Sequence, residues 1–291
     1  MDRHLKVLVT GGTGRQGAAV AQWLLSSGHD VIAVTRNLAD PAAMRLMRRG
    51  ARLAWATFDD RTTLEENAQA CDAMFLVTTA EQGVAEEERQ GRQLVDIAAA
   101  AGLRHVVYSS VPAGAQAAGL PHVDSKRAVE QHLADLAVPH TVIAPAFFME
   151  NFTDLRQLER FREGRLALPW PAGAKLQQIA VADLAKFVTL VLEDPEPYLG
   201  QRVAIAGDEL TGIEMAAALA RVIGRPVSYE EQSLEAAWAE EAPYAPHFEA
   251  IRRDHSEIDV SRLRALYDFG WHTLDGWARL QPWTDLLGPM R

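Results

Sequence analysis

The chain is poor in the features that specialised scaffolds depend on. Cysteine occurs once, as Cys71, so no intramolecular disulfide can form, a usage that fits a reducing compartment. No uninterrupted apolar run approaches the roughly 20 residues of a membrane-spanning helix. The opening MDRHLKVLVTGG enters a strand pattern at once and leaves no room for a signal peptide, so the expected location is cytoplasmic, with no membrane partner. Positive charge is scarce: 29 Lys and Arg stand against 39 Asp and Glu, a net charge of −10. That balance argues against direct nucleic-acid binding, which needs clustered cations. The local clusters Arg45/Arg48/Arg49 and Arg160/Arg162/Arg165 read as solvated faces. Neither H-E-x-x-H nor C-x-x-C occurs, so no metal is expected, and TGGTGRQG lacks the G-K-[ST] ending of a P-loop. The acid run Glu86–Glu87–Glu88 falls at a helix start, where the dipole favours it, and reads as solvated.

What is present is a regular alternation. Short β-rich apolar runs at 6–10, 30–35, 51–56, 73–78, 105–110 and 140–145 are separated by helical spacing at 15–27, 40–49, 62–70, 84–101 and 123–136. Several of the runs are continuous, as in strands covered on both faces. Repeated βα units of this kind predict an α/β fold with a doubly wound parallel sheet. Thr62 with Glu65 makes a capping box for the third helix. After Pro145 the rhythm breaks into an aromatic, Pro- and Gly-rich segment over 146–178. A helix at 182–193 and a strand at 202–206 then follow. Beyond them come a helix capped by Thr211 with Glu214, a short strand near 226–230 and helical segments to the end. The expected division is a dinucleotide-binding domain over 1–150, with 180–206 returning to it, and a smaller C-terminal α/β cap from 151–179 and 207–291.

LVTGGTGRQGAAV follows the first strand and opens the first helix. Gly12, Gly14 and Gly17 satisfy G-x-G-x-x-G, and Gly11, Gly14 and Gly17 equally satisfy G-x-x-G-x-x-G. Either spacing brings backbone close to a pyrophosphate at a helix N-terminus, which makes Gly11, Gly12, Thr13, Gly14, Arg15, Gln16 and Gly17 the first cofactor-binding candidates. The second strand ends in VTRN without the acid that usually accepts the ribose hydroxyls of NAD. Arg36 stands there instead, 19 residues after Gly17, followed by Asn37. A guanidinium at that point suits a 2′-phosphate, with Arg15 as a second cation, so NADP(H) is the expected cofactor. Thr57, Phe58 and Asp59 after the third strand are candidates to flank the adenine, while Asp60 reads equally as a helix cap. Small residues at the end of the fourth strand, Thr78 and Thr79, let a ribose pass close to backbone.

In PHVDSKRAVEQHL, His122, Lys126, Val129, Leu133 and Leu136 fall within about ±40° of one direction at about 100° per residue. The apolar members face the sheet, so Lys126 points inward at the edge where ligands bind, with donors for ribose hydroxyls. His122 is open between proton donor and helix-start residue. Tyr108 in VVYSS reads as core, and Ser109 and Ser110 as either ligand contacts or turn residues. APAFFMENF leaves the sixth strand, and Phe147, Phe148 and Asn151 are candidates beside the cofactor edge. The alternative there is a hydrophobic hinge.

VTGGTGRQGAAVA, VTRN, VVYSS, HVDSKRAVEQHL and PAFFMENF, in this order and spacing, resemble the NmrA-like family of atypical short-chain dehydrogenases over essentially the whole chain. The resemblance implies a Rossmann domain with a small α/β cap and a cleft between them. It implies NADP(H), with Arg36 at the 2′-phosphate and Lys126 at the nicotinamide ribose. It also implies absence of the tyrosine of the Tyr-x-x-x-Lys pair, whose place His122 takes. One departure is Ala56-Thr57, where many relatives carry Gly-Asp. The family holds two kinds of protein: reductases of flat conjugated acceptors such as quinones and triphenylmethane dyes, and redox sensors that regulate a partner. The first expectation is therefore NADPH-dependent hydride transfer to a small aromatic or quinone-like substrate. The alternative is a non-catalytic sensor acting through a regulatory partner or a homodimer.

Overall fold

A computed structural model describes residues 4–112, 117–240, 245–253 and 258–288. The first half alternates β1 (Lys6–Val9), α1 (Arg15–Ser26), β2 (Asp30–Thr35), α2 (Pro41–Arg48), β3 (Arg52–Trp55), α3 (Arg61–Gln69), β4 (Ala73–Leu76), α4 (Val84–Ala100), β5 (His105–Ser109), α5 (Pro121–Asp135) and β6 (His140–Pro145). There follow β7 (Phe147–Phe148), α6 (Leu155–Arg162), β8 (Arg165–Leu168), β9 (Lys175–Ile179), α7 (Val181–Glu193), β10 (Arg202–Ile205), β11 (Asp208–Thr211) and α8 (Gly212–Ile223). The chain continues with β12 (Ser228–Glu231), α9 (Leu234–Ala239), α10 (Ala245–Arg253), α11 (Val260–Leu266), α12 (Leu274–Arg279) and α13 (Trp283–Leu287). No helix among the described residues is long and apolar enough to cross a membrane.

Seven strands form one sheet in the order β10-β6-β5-β4-β1-β2-β3. The pairings from β3 through to β6 are parallel. Val142 N and Ala146 N donate to the carbonyls of Gln201 and Ile205, which brings β10 alongside β6 in the same sense. This is a doubly wound Rossmann sheet, and its order reverses between β1 and β4, the switch point where such sheets bind ligands. β4 and β5 are buried at every position, which explains the unbroken apolar run AMFL of β4.

The chain divides into two compact units. One holds Met1–Val111, Ala118–Ala144 and Leu184–Ala204 and is built on the seven-stranded sheet. The other holds Pro112–Ala117, Pro145–Asp183 and Ile205–Arg291. Inside the second unit, β9 pairs antiparallel with β11 and parallel with β7, while β8 pairs with β12. Phe147, Phe152, Phe161, Trp170, Phe248 and Trp277 share its apolar core. The strands between Phe147 and Ile179 escape a sequence reading because they are short, and β9 is also polar: it reads KLQQI, and Gln177 and Gln178 are buried in it.

Three local expectations change. The third helix begins at Arg61 and is capped by Asp60, whose carboxylate accepts from Thr63 N at 3.2 Å, in place of a Thr62–Glu65 box. Glu65 is taken by Arg61, at 2.6 Å. Leu136 is not part of the inward stripe of α5: it is the C-cap, 42% exposed, and Ala137 turns the chain away with φ 50°. Glu87 is not solvated. It is 2% exposed, because it shares a helix face with Gln90, Gly91 and Leu94, and that face is buried. Gly91 lets α4 and α5 touch, since a Cβ there would lie 2.4 Å from Val129 Cγ2.

His105 on β5 is buried, its Nε2 2.8 Å from Thr141 Oγ1, and burial lowers its pKa from 6.5 to about 4, with His140 adding to the effect. The unfolded chain binds a proton below about pH 6.5 that the folded chain refuses until about pH 4. Stability is therefore expected to fall as pH drops through that window, by at most about 3 kcal/mol from this residue. Denaturant unfolding between pH 7 and 4 should show the fall, and His105→Asn should flatten it. An unchanged slope in that variant would assign the acid sensitivity elsewhere.

Candidate functional site

The glycine loop is stitched to the sheet by backbone and hydroxyl contacts. Thr10 Oγ1 accepts from Val77 N at 2.8 Å, tying the end of β1 to the end of β4. Gly12 N donates to the Val34 carbonyl at 2.9 Å and Gly14 N to the Gly11 carbonyl at 2.9 Å. Gly11 turns the chain with φ 56°, a left-handed conformation that favours glycine. Gly17 sits against this turn so closely that a Cβ would lie 2.3 Å from the Gly11 carbonyl oxygen. Helix α1 then opens at Gly14 with no side-chain cap. α4 and α5 likewise lack a side-chain cap, whereas Asp40 and Asp60 cap α2 and α3. Of the uncapped helices, α1 brings its first turn, Gly14 to Gly17, to the switch point. Backbone N–H groups and a positive dipole end held there suit an anion.

A cleft of about 520 Å³ lies over this loop. Such a volume is in the range of cofactor sites, roughly 300–1,000 Å³. Of the sequence candidates, Gly11, Thr13, Gly14, Arg15, Gln16 and Gly17 line it, as do Arg36, Thr57, Phe58, Thr78 and Thr79. Gly12 is buried beneath the loop, where a Cβ would meet Ala33 Cβ at 2.8 Å. Asn37 is spent on its own turn: its Oδ1 accepts from Ala39 N at 3.0 Å, and its backbone N–H donates to Thr35 Oγ1 at 3.1 Å. Trp55 Nε1 donates to the Arg36 carbonyl at 3.1 Å and fixes the end of β2. Phe147, Phe148 and Asn151 belong to the second unit and are not among the residues lining this cleft. Phe147 is 2% exposed and packs on Phe248 and Phe152 at centroid distances of 5.3 and 5.7 Å, so its ring is committed to the core and has no face left for a ligand.

Lys126 points inward, as its helical phase requires, and it meets a partner the sequence did not reveal. Its Nζ is 2.7 Å from Glu87 Oε1 and 3.4 Å from Thr78 Oγ1. Thr78 Oγ1 donates to Glu87 Oε1 at 3.0 Å and Ser125 Oγ to Glu87 Oε2 at 3.1 Å. Glu87 is thereby surrounded by donors, and Lys126 keeps 15% of its side-chain surface open. His122 lies in the first turn of α5, half-buried, its carbonyl accepting from Ser125 Oγ at 3.4 Å. Tyr108 is fully buried, and burial pushes its phenol above the ordinary tyrosine range, with Glu87 and Glu130 adding to it. Sealed and protonated, it is a core residue. Ser109 Oγ donates to Gln16 Oε1 at 2.6 Å, and Ser110 Oγ to Glu130. Both serines therefore brace the loop and α5.

Residues absent from the sequence reading also reach the cleft. Glu81, Gln82 and Gln90 line it, on the turn after β4 and on α4. Asp59, which the sequence did offer beside Thr57 and Phe58, lines it too, held by Arg89. No spacing rule points at Glu81 or Gln90, because they come from a loop and a helix distant from the glycines.

The sequence matches the NmrA-like family over residues 3–277. The chain belongs to the NmrA-like family. Among relatives of this NmrA-like protein, an NAD(P)H azoreductase of Xenophilus azovorans is 30% identical, covering 79% of this chain and 78% of its own. Among solved structures, NmrA, a negative transcriptional regulator in complex with NADP, superposes with a TM-score of 0.80 at 22% identity, covering 95% of both chains. The NADPH-dependent quinone oxidoreductase of Escherichia coli, complexed with NADPH, superposes with a TM-score of 0.76 at 24% identity, covering 94% of this chain and 98% of its own. The proteins similar to this chain thus include some named as reductases and one named as a regulator.

Proposed function

We propose that the chain is an NADP(H)-binding oxidoreductase that passes hydride to a flat conjugated acceptor of the quinone or azo class. The observation that carries this reading is the uncapped α1 opening onto a cleft of about 520 Å³ that also contains Arg36. The first-turn N–H groups of α1 bind the pyrophosphate. Arg36 pairs with the 2′-phosphate, and Thr57 and Phe58 border the adenine. Thr78 and Thr79 let the ribose chain pass close to β4. An ammonium has three donors; two of those on Lys126 are directed at Glu87 and Thr78, and the third serves the nicotinamide ribose. When bound, the reduced nicotinamide supplies the hydride. The protein supplies position and exclusion of water, and an acceptor reduced at oxygen or nitrogen takes its proton from solvent or from His122.

The relatives named as azoreductase and quinone oxidoreductase support this acceptor class. A second reading, a cofactor sensor without turnover, draws on two observations: His122 stands four residues before Lys126, and Tyr108 is sealed in the core. The deciding assay follows NADPH oxidation by purified protein against a panel of quinones and azo dyes, with Lys126→Ala and His122→Ala alongside. The oxidoreductase predicts turnover with at least one acceptor and a loss of tenfold or more in Lys126→Ala. Tight NADPH binding with no oxidation by any acceptor would leave the sensor.

A further inference from the structure

Arg36 does not stand alone at the end of β2. Its Nη2 lies 3.0 Å from Glu81 Oε2, and the two side chains are 61% and 62% exposed. Both line the cleft that also contains Gly14 and Thr57. Glu81 is carried by a turn between β4 and α4, closed by Gly83 N donating to the Ala80 carbonyl at 2.8 Å, with Gly83 at φ 101°. The turn sets the carboxylate opposite the guanidinium without burying either. The other charged residues lining the cleft are Arg15, in the glycine loop, and Asp59, which is engaged by Arg89. Glu81 is therefore the acid that answers Arg36.

The two sugars that distinguish the phosphorylated and unphosphorylated dinucleotides see this pair differently. A 2′-phosphate carries close to two negative charges. At Arg36 it competes with Glu81 for the guanidinium, and it then lies beside a like charge. A 2′-hydroxyl is a donor, and a carboxylate accepts it. The end of β2 has no acid to play that part, and Glu81 brings one in from the β4 side.

We propose that Glu81 is a specificity-determining residue, holding Arg36 in an ion pair with which a 2′-phosphate must compete and so narrowing the preference of the cleft for NADPH over NADH. The proposal rests on the dinucleotide reading above. An exposed pair is worth little in water, so the effect is modest and screened by salt. Removing the carboxylate is expected to tighten NADPH binding by about three- to fivefold.

Titration of NADPH and NADH by nicotinamide fluorescence tests it on wild type, Glu81→Gln, Arg36→Gln and the double variant. Both side chains are exposed, so the fold does not depend on them. In Glu81→Gln the NADPH-to-NADH affinity ratio should rise about threefold or more, and less in high salt. In the Arg36→Gln background the same change should bring a smaller gain, because the cation it frees is gone and only the carboxylate's own effects on the 2′ group are removed. A ratio within twofold of wild type, with NADPH still bound, overturns the role of Glu81 alone. An equal gain in both backgrounds overturns the ion-pair mechanism. Failure of wild type to bind either dinucleotide overturns the underlying reading, and this proposal with it.

Discussion

Replacing Glu87 by alanine is expected to lower folding stability by about 3–5 kcal/mol, the range found when one partner of a buried pair is removed. The carboxylate is 2% exposed and accepts from Lys126 Nζ, Thr78 Oγ1 and Ser125 Oγ at 2.7, 3.0 and 3.1 Å. Truncation leaves a nearly buried ammonium and two hydroxyls facing a cavity. Neither hydroxyl can turn to water for a new partner, since Thr78 is 7% and Ser125 2% exposed. Denaturant unfolding measures the loss. Adding Lys126→Met to the alanine variant should recover part of it, because the stranded charge is then removed, and the double-mutant cycle should show coupling above about 1 kcal/mol. A loss below about 1 kcal/mol, with no coupling, would mean that water reaches the pair. The same variant should bind NADPH more weakly than wild type, since an unrestrained Lys126 is no longer aimed by α4.

Gly17→Ala is expected to weaken NADPH binding by about 100-fold or more, equivalent to roughly 2.7 kcal/mol. The added Cβ would lie 2.3 Å from the Gly11 carbonyl oxygen, 2.7 Å from the Gly11 carbonyl carbon and 2.8 Å from the Thr10 carbonyl oxygen. All three are backbone atoms, so no rotamer relieves the contact. Either α1 moves outward or the loop loses the hydrogen bonds that tie Gly12 to Val34 and Gly14 to Gly11. Both responses move the N–H groups that would meet the pyrophosphate. Gly173→Ala is the matched control, because a Cβ there meets nothing within 4 Å. Isothermal titration with NADPH compares the two variants. Wild-type affinity in Gly17→Ala would show that the loop does not hold the cofactor.

The strands from Lys6 to Pro145 were legible because each is a short apolar run between helical segments, the pattern that a sheet covered on both faces demands. The glycine loop was legible for the same local reason, since turn, close approach and helix start all lie within residues 11–17. The inward phase of Lys126 followed from its distance to Val129 and Leu133, both fully buried. Leu136, one turn further, failed the same rule, because the helix had already ended. Phe147 and Phe148 were apolar enough for either a ligand wall or a core. The pairing of β7 with β9 puts Phe147 into a core instead.

The sequence by itself determined the βα order, the place of the glycine loop and the absence of an acid at the end of β2. All of these depend on residues near one another in the chain, where spacing alone sets which way a side chain points. Only the tertiary structure decided which charges meet. Three successive glutamates look alike in a run, and helix crossing at Gly91 turned the middle one against Lys126. Arg36 acquired Glu81 from a turn 45 residues away. Electrostatic pairing acts through space, so partners of this kind emerge when the sheet brings its loops together.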